Sequence, residues 1–242
     1  MSYTLFISDL HLDTSRPHHL VALEALLDTH AGKCDALYVL GDLFETWIGD
    51  DDDTDFNLSA TSLFRTFSSS GSKLYFMHGN RDFLLGRQFA SDAGGQLINE
   101  GTVIDLYGTP VLLMHGDSLC TRDEKYQQFR AMVRTDAWQQ DILSKTLAER
   151  RIIAQGIRAQ SMQGNANKAE NIMDVTDTEV ARVMNEAGVR DLIHGHTHRP
   201  NVHQVELSEG VGTRWVLGDW NDTGWLIRAG EDDIELTSFE IA

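Results

Sequence analysis

Five short apolar runs, each cut off by a cluster of glycine and ligand-type polar residues, set the terms on which this chain can fold. The clusters are Ser8-Asp9-Leu10-His11, Gly41-Asp42, Gly79-Asn80-Arg81-Asp82, His115-Gly116-Asp117 and His194-Gly195-His196-Thr197-His198. The runs that lead into them, residues 3–8, 36–40, 73–78, 111–114 and 190–194, have the length of strands rather than helices. Between the first three lie stretches with helical spacing: Leu20, Leu23, Leu26 and Leu27, then Leu58, Leu63, Phe64 and Phe67. Such alternation implies parallel strands covered on both faces by helices. Ligands then bind beyond the carboxyl ends of the strands, where Asp9, Asp42 and Asn80 fall.

The rhythm changes between about 122 and 187, where Leu143/Leu147 and Ile153/Ile157 recur at helical spacing. This stretch reads as a helical insertion, or lid, within a single domain of residues 1–242. After residue 199 the pattern is strand-like again, over Val202–Val205, Arg214–Leu217, Trp225–Arg228 and Ile234–Ser238. The expected body is a sandwich of two sheets flanked by helices.

Charge narrows the function classes. The formal charge of -17 argues against a non-specific nucleic-acid binder, since phosphate backbones are held by Lys and Arg. Yet residues 120–170 carry nine Lys/Arg against six acids, which suggests a local anionic substrate or membrane surface. Cys34 and Cys120 are too few for a disulfide framework, so a reducing cytosol is expected. No apolar run approaches the ~18 residues of a membrane span, and the N-terminus lacks a signal-peptide pattern. Any membrane contact is therefore expected to be peripheral.

The clusters together supply carboxylates, an amide and imidazoles, the hard and intermediate donors that suit a pair of divalent cations. One arrangement satisfies seven of them: Asp9, His11, Asp42 and His198 on one ion, and Asp42, Asn80, His115 and His196 on the other, with Asp42 bridging. Taken singly, Asp9 or Asp42 is more often a turn residue and His115 more often a core histidine. The ordered set is what points to metal. His194 sits on the incoming strand and reads as structural. The run Asp50–Asp53 reads as a solvated loop or helix cap, and Asp82 and Asp117 as hydrogen-bond acceptors behind the ligands.

The order Asp-x-His, Gly-Asp, Gly-Asn, His, Gly-His-x-His over residues 9–198 resembles the calcineurin-like metallophosphoesterases. That resemblance implies a four-layer α/β sandwich, two mixed sheets flanked by helices, and it agrees with the ligand grouping above. Many of these enzymes carry Gly-Asn-His, whose histidine can protonate a leaving alkoxide. Here the position is Arg81. Arginine stays charged and cannot act as a general acid, but it can hold phosphate bidentately. This favours a pyrophosphate bond, whose phosphate leaving group needs little protonation.

Longer strings resemble one family within that group, the UDP-2,3-diacylglucosamine pyrophosphohydrolases. They are residues 41–52, 78–86, 114–120, 172–175 and 194–200. The resemblance implies hydrolysis at the α-phosphorus to UMP and 2,3-diacylglucosamine 1-phosphate in lipid A biosynthesis. It further implies two Mn2+ per subunit and peripheral residence on the cytosolic face of the inner membrane. Asn80 and Arg81 would then meet phosphate, with Asp42 catalytic. Asp123, Ser161, Asn165, Lys168 and His196 would complete the sugar-phosphate pocket, with Tyr126 and Trp47 as weaker candidates. Phe83, Leu84, Phe129, Met132, Trp138, Ile142, Ile153 and Ile157 line an acyl chamber or simply pack helices. Lys145, Arg150, Arg151 and Arg158 meet lipid headgroups or form a solvated helix face. No nucleic acid and no obligate protein partner is expected. A phosphoesterase of soluble nucleotides and a non-catalytic scaffold are the alternatives.

Overall fold

The computed structural model describes residues 2–165, 172 and 174–241. Three parallel strands, β1 (Tyr3–Ile7), β2 (Ala36–Val39) and β3 (Lys73–Phe76), form the centre of the first sheet. Their register aligns Leu5 with Leu37 and Leu74 on one face, and Phe6 with Tyr38 and Tyr75 on the other. The leucine face packs against α1 (Pro17–His30), α2 (Asp55–Ser69) and α3 (Arg87–Asp92), which contribute Leu23, Leu27, Phe64, Phe67 and Phe89. The aromatic face turns inward, its rings stacked at 5.2 and 4.6 Å between centroids. Alternation of side chains along a strand divides the two cores in this way. Pro at the first turn of α1 and the Thr54 hydroxyl, which accepts from Asn57 N at the start of α2, mark the helix starts.

The second sheet is built on β6 (Thr109–Leu113) and β7 (Asp191–His194), which run parallel. It also holds β5 (Thr102–Leu106), β8 (Asn201–Leu207) and β9 (Gly210–Val216), in the order β5-β6-β7-β9-β8. The antiparallel strands β10 (Thr223–Gly230) and β11 (Ile234–Glu240) return to the first sheet beside β1. A short strand β4 (Gln96–Leu97) closes that sheet's other edge. Val111, Leu113, Ile193 and Leu217 meet Phe6, Tyr38 and Leu40 between the sheets. On the far face α7 (Asp177–Ala187) seats Val180 and Met184 on Leu112 and Leu192. Helices, sheet, sheet and helix make the expected four layers.

Two elements depart from the sequence expectation. The strands β4 and β5 were not anticipated; β4 is only two residues long and β5 lies at a sheet edge. The β5–β6 hairpin turns through Tyr107-Gly108, both at positive φ, the geometry a two-residue hairpin loop requires. The stretch expected as one insertion also divides. The helices α4 (Glu124–Val133), α5 (Asp136–Leu143) and α6 (Leu147–Asn165) precede α7, and α7 packs as part of the body. Among the described residues no helix is long and apolar enough to cross a membrane.

Candidate metal centre

All five clusters converge at the carboxyl ends of β1, β2, β3, β6 and β7, where the two sheets adjoin. Asp9 Oδ1 lies 3.4 Å from His198 Nε2, which lies 3.3 Å from His11 Nε2. Asp42 Oδ2 is 3.9 Å from His11 Nε2, and its Oδ1 is 3.7 Å from His115 Nε2. Asn80 Oδ1 stands between His115 Nε2 at 3.0 Å and His196 Nδ1 at 2.8 Å. Among the described residues two trios, Asp9/His11/His198 and Asp9/Asp42/His115, each bring their ligand atoms within 4.8 Å of one another. Asp42 faces both His11 and His115, and Asp9 belongs to both trios. Asp9 Oδ1 is buried without an in-line hydrogen bond, as befits an oxygen shaped for a cation. The mixed oxygen and nitrogen donors suit a divalent ion.

Backbone conformation explains the glycines and short polar residues in the clusters. Asp9, His11, Asp42, His196 and His198 all have φ between 49° and 68°. This left-handed region costs a non-glycine residue ~1–2 kcal/mol, and such strain gathers at functional sites. It aims two side chains of a turn at one point. Gly79 is needed because a Cβ there would stand 2.0 Å from Asp42 Oδ1. Gly195 is needed because its Cβ would meet Asp9 Oδ2 at 2.2 Å.

The outer groups hold the candidate ligands in place. Asp82 accepts from Gly79 N at 2.7 Å and Leu43 N at 2.8 Å, which ties the β2 and β3 loops together. Leu40 O lies 2.8 Å from His115 Nδ1, and Asp219 Oδ2 lies 3.4 Å from His198 Nδ1. Asp117 accepts from Tyr126 and, at 2.9 Å, from Arg130 Nε. The Tyr126 ring stacks on His196 with centroids 6.3 Å apart. Asp82 and Asp117 thus act as hydrogen-bond acceptors beside the candidate ligands. His194 is buried against Gly195 O at 2.8 Å and Arg214 Nη1 at 3.2 Å, in a structural role.

Glu45 and Asp219 escaped the sequence reading. Asp219 had a signal: Val39-Leu40-Gly41-Asp42 recurs as Val216-Leu217-Gly218-Asp219 at the end of β9. Glu45 had none, since its loop position gives no period.

Electrostatics follow from burial and crowding. Burial opposes protonation of His198, but Asp219 and Asp9 outweigh it and push it up to about 10. Burial likewise opposes a charge on His115, yet Asp42, Asp9 and Asp117 push it up to about 9. Burial and the His115 charge bring His196 down to about 4. Burial alone would raise Asp9, but His198, His115 and His11 hold it well below the usual carboxylate range. A divalent cation held by His115 and His198 would therefore displace their protons at neutral pH. Between pH 6 and 8, divalent-cation affinity is then expected to rise with pH by about tenfold per unit for each proton displaced. Calorimetry in buffers of different ionisation enthalpy reads the released protons. A pH-independent affinity would contradict the arrangement.

The proposed substrate contacts are placed unevenly. Asp123 is buried and accepts from Tyr126 N at 3.2 Å, capping α4. Ser161 is half-buried on α6, Asn165 ends that helix, and Lys168 lies outside the described residues. Arg81 donates its backbone N–H to Asp42 Oδ1 at 2.8 Å, and its side chain lines two clefts. One cleft, about 430 Å³, contains His11, His198 and Asp219. The other, about 60 Å³, is walled by Trp47, Phe83, Leu84, Trp138, Ile153 and Ile157. Ile142 lines it too, whereas Phe129 packs on the core and Met132 is 50% exposed.

The helix-cap reading of the acidic run holds at Asp50, which accepts from Trp47 Nε1, Gly86 N and Phe89 N at 2.7–3.0 Å and caps α3. Asp51 and Asp52 are held in ion pairs by Arg150 and Arg151 of α6, and Asp51 stays exposed to solvent within its pair. The basic residues of α6 thus clamp it to the 45–52 loop. Arg158 pairs with Glu45, and Lys145 pairs with Asp141 at 3.0 Å. Arg150 is 5% exposed and also donates to Ile48 O at 2.8 Å. Arg150→Ala is expected to lower the opening free energy of α6 by about 1–3 kcal/mol. Faster amide exchange across residues 147–160, with the sheet core unchanged, would register it; unaltered protection would refute the clamp.

A calcineurin-like phosphoesterase family model matches residues 3–200, and the chain belongs to that family. Within the family it is similar to enzymes named UDP-2,3-diacylglucosamine hydrolase. The one from Cellvibrio japonicus is 50% identical over 98% of this chain and 99% of its own length. That from Pseudomonas fluorescens (strain Pf-5) is 46% identical, covering 98% and 94%. That from Marinobacter nauticus is 47% identical, covering 95% and 94%.

Proposed function

We propose that this protein hydrolyses the pyrophosphate bond of UDP-2,3-diacylglucosamine at the α-phosphorus. The products are UMP and 2,3-diacylglucosamine 1-phosphate, a step of lipid A biosynthesis. The ligands are Asp9, His11, Asp42 and His198 for one Mn2+, and Asp42, Asn80, His115 and His196 for the other. When bound, the pair of cations supplies an activated water and neutralises charge on the phosphoryl oxygens. Its setting is the cytosolic face of the inner membrane, where a doubly acylated substrate resides.

The observation that carries this reading is the position of Arg81. It stands between the ligand-lined cleft and the apolar cleft, where the two ends of a nucleotide-linked lipid diverge. Its buried Nε makes no in-line hydrogen bond to the described residues and is placed to meet a phosphate oxygen. As the water oxygen bonds to the α-phosphorus, the bond to the bridging oxygen breaks. The departing phosphate carries the electron pair away as charge, which Arg81 offsets without giving up a proton. Asn80 orients the phosphate from the same loop, with Asp123 and Ser161 on the sugar side.

The helices α4–α6 serve as a lid. Their apolar cleft holds only a few waters as it stands, so two acyl chains require α6 to move outward against its Arg150 and Arg151 clamps. The test is UMP release from UDP-2,3-diacylglucosamine by the purified protein across Mn2+, Fe2+ and Zn2+. Release of UMP with Mn2+ is expected. No UMP at full metal loading would overturn the reading, and equal turnover of soluble UDP-sugars would redirect it to soluble nucleotides.

A further inference from the structure

Glu45 sits where the ligand cluster, both clefts and helix α6 meet. Its carboxylate is 12% exposed, with Oε2 3.1 Å from His11 Nδ1 and 3.4 Å from Arg16 Nη2. Its other oxygen forms the ion pair with Arg158 of α6. Arg16 is itself fastened to the ligand loop, donating to His11 O at 2.8 Å. Arg158 comes from the far side of the cleft. One carboxylate thus serves a candidate ligand, the loop that carries it and the helix that covers it.

The two nitrogens of His11 face opposite ways. Nε2 points at the ligand cluster, 3.3 Å from His198 Nε2. Nδ1 is buried and has no in-line hydrogen bond, with the Glu45 carboxylate beside it. An imidazole that gives Nε2 to a cation keeps its proton on Nδ1. An acceptor next to that proton fixes both tautomer and ring orientation, and it makes Nε2 a better donor. The corresponding acceptors are Leu40 O for His115 and Asp219 for His198. Of these three acceptors, Glu45 is the one that also forms an ion pair with α6.

We propose that Glu45 is a positioning residue that orients His11 for metal and, through Arg158, ties α6 to that ligand. The inference rests on the ligand set proposed above. It adds that lid position and metal centre share one carboxylate. A phosphate entering the cleft competes with Glu45 for Arg158. Release of α6 then leaves the carboxylate to His11 and Arg16.

The test compares metal-stripped wild type with Glu45→Ala, Glu45→Gln, Arg158→Ala and His11→Ala. Mn2+ affinity is read by calorimetry and α6 mobility by amide exchange. Glu45→Ala is expected to weaken Mn2+ binding by about 10- to 100-fold, the usual cost of losing a ligand's supporting partner. Glu45→Gln keeps an oxygen beside Nδ1–H, so most of the affinity returns. Arg158→Ala leaves affinity within about threefold, by the same logic. All three speed exchange in α6, because each breaks the ion pair. Wild-type affinity in Glu45→Ala, or equal weakness in Glu45→Gln, overturns the orienting role. Unchanged α6 exchange in Glu45→Gln and Arg158→Ala overturns the tie. Should Glu45→Ala not fold, the isosteric Glu45→Gln and Arg158→Ala carry the comparison. If His11→Ala binds Mn2+ as tightly as wild type, the ligand set itself fails. A weak His11→Ala beside a tight Glu45→Ala rejects Glu45 alone.

Discussion

Asp42→Ala is expected to lower kcat/KM for UDP-2,3-diacylglucosamine by about 10³-fold or more, the upper scale on which one lost transition-state partner registers. The chain should remain folded. Asp42 is 1% exposed and accepts from Arg81 N, so truncation forfeits a buried acceptor, at a cost of about 1–3 kcal/mol. Burial pushes the Asp42 carboxyl up, with His115 and His11 opposing that shift and the Asp9 and Asp82 charges adding to it. Asp42→Asn separates the effects, since asparagine tolerates the left-handed φ of 51° and still accepts from Arg81 N. Both variants should lose bound metal by elemental analysis while their melting curves stay cooperative. Near-wild-type turnover in either would refute a bridging role.

Arg81→Ala is the second large effect, about 10²- to 10³-fold in kcat/KM with metal content unchanged. Its backbone amide still supports Asp42, so the ligand cluster survives the truncation. Arg81→Lys should recover only part of the loss, because an ammonium offers charge without the bidentate fork. The deficit should be larger on the acylated UDP-sugar than on a p-nitrophenyl phosphodiester, whose leaving group carries less charge. Equal deficits on both would reduce Arg81 to a general contributor to the site.

The seven candidate ligands were legible because each ends or follows a strand, and strand ends can be found from apolar run length alone. Their grouping was legible because parallel order places successive carboxyl ends side by side. What supports them was harder to read. Glu45 lies in an irregular loop, and its partners Arg16 and Arg158 come from a neighbouring turn and a distant helix. The pairing of Arg150 with Asp51 joins residues 99 positions apart. Composition showed a basic segment and an acidic loop, but nothing in either sequence fixed that they face each other. The hairpin at Tyr107-Gly108 is a different case. Its glycine and flanking alternation were visible, and the strand was missed because Thr102–Leu106 alternates buried and open residues at an edge.

The left-handed turns bear on how this centre can change. At Asp9, His11, Asp42, His196 and His198 a new side chain must first suit the backbone, and only then the ion. Asn and Gly pass that filter; Val, Ile and Thr do not. Asn80 and His115 are the two candidate ligands outside that constraint. Variation in metal preference is therefore channelled through one half of the centre. A selection for growth on a different metal should find its substitutions at positions 80 and 115, while the Asp9–His11–His198 half stays fixed by its turns.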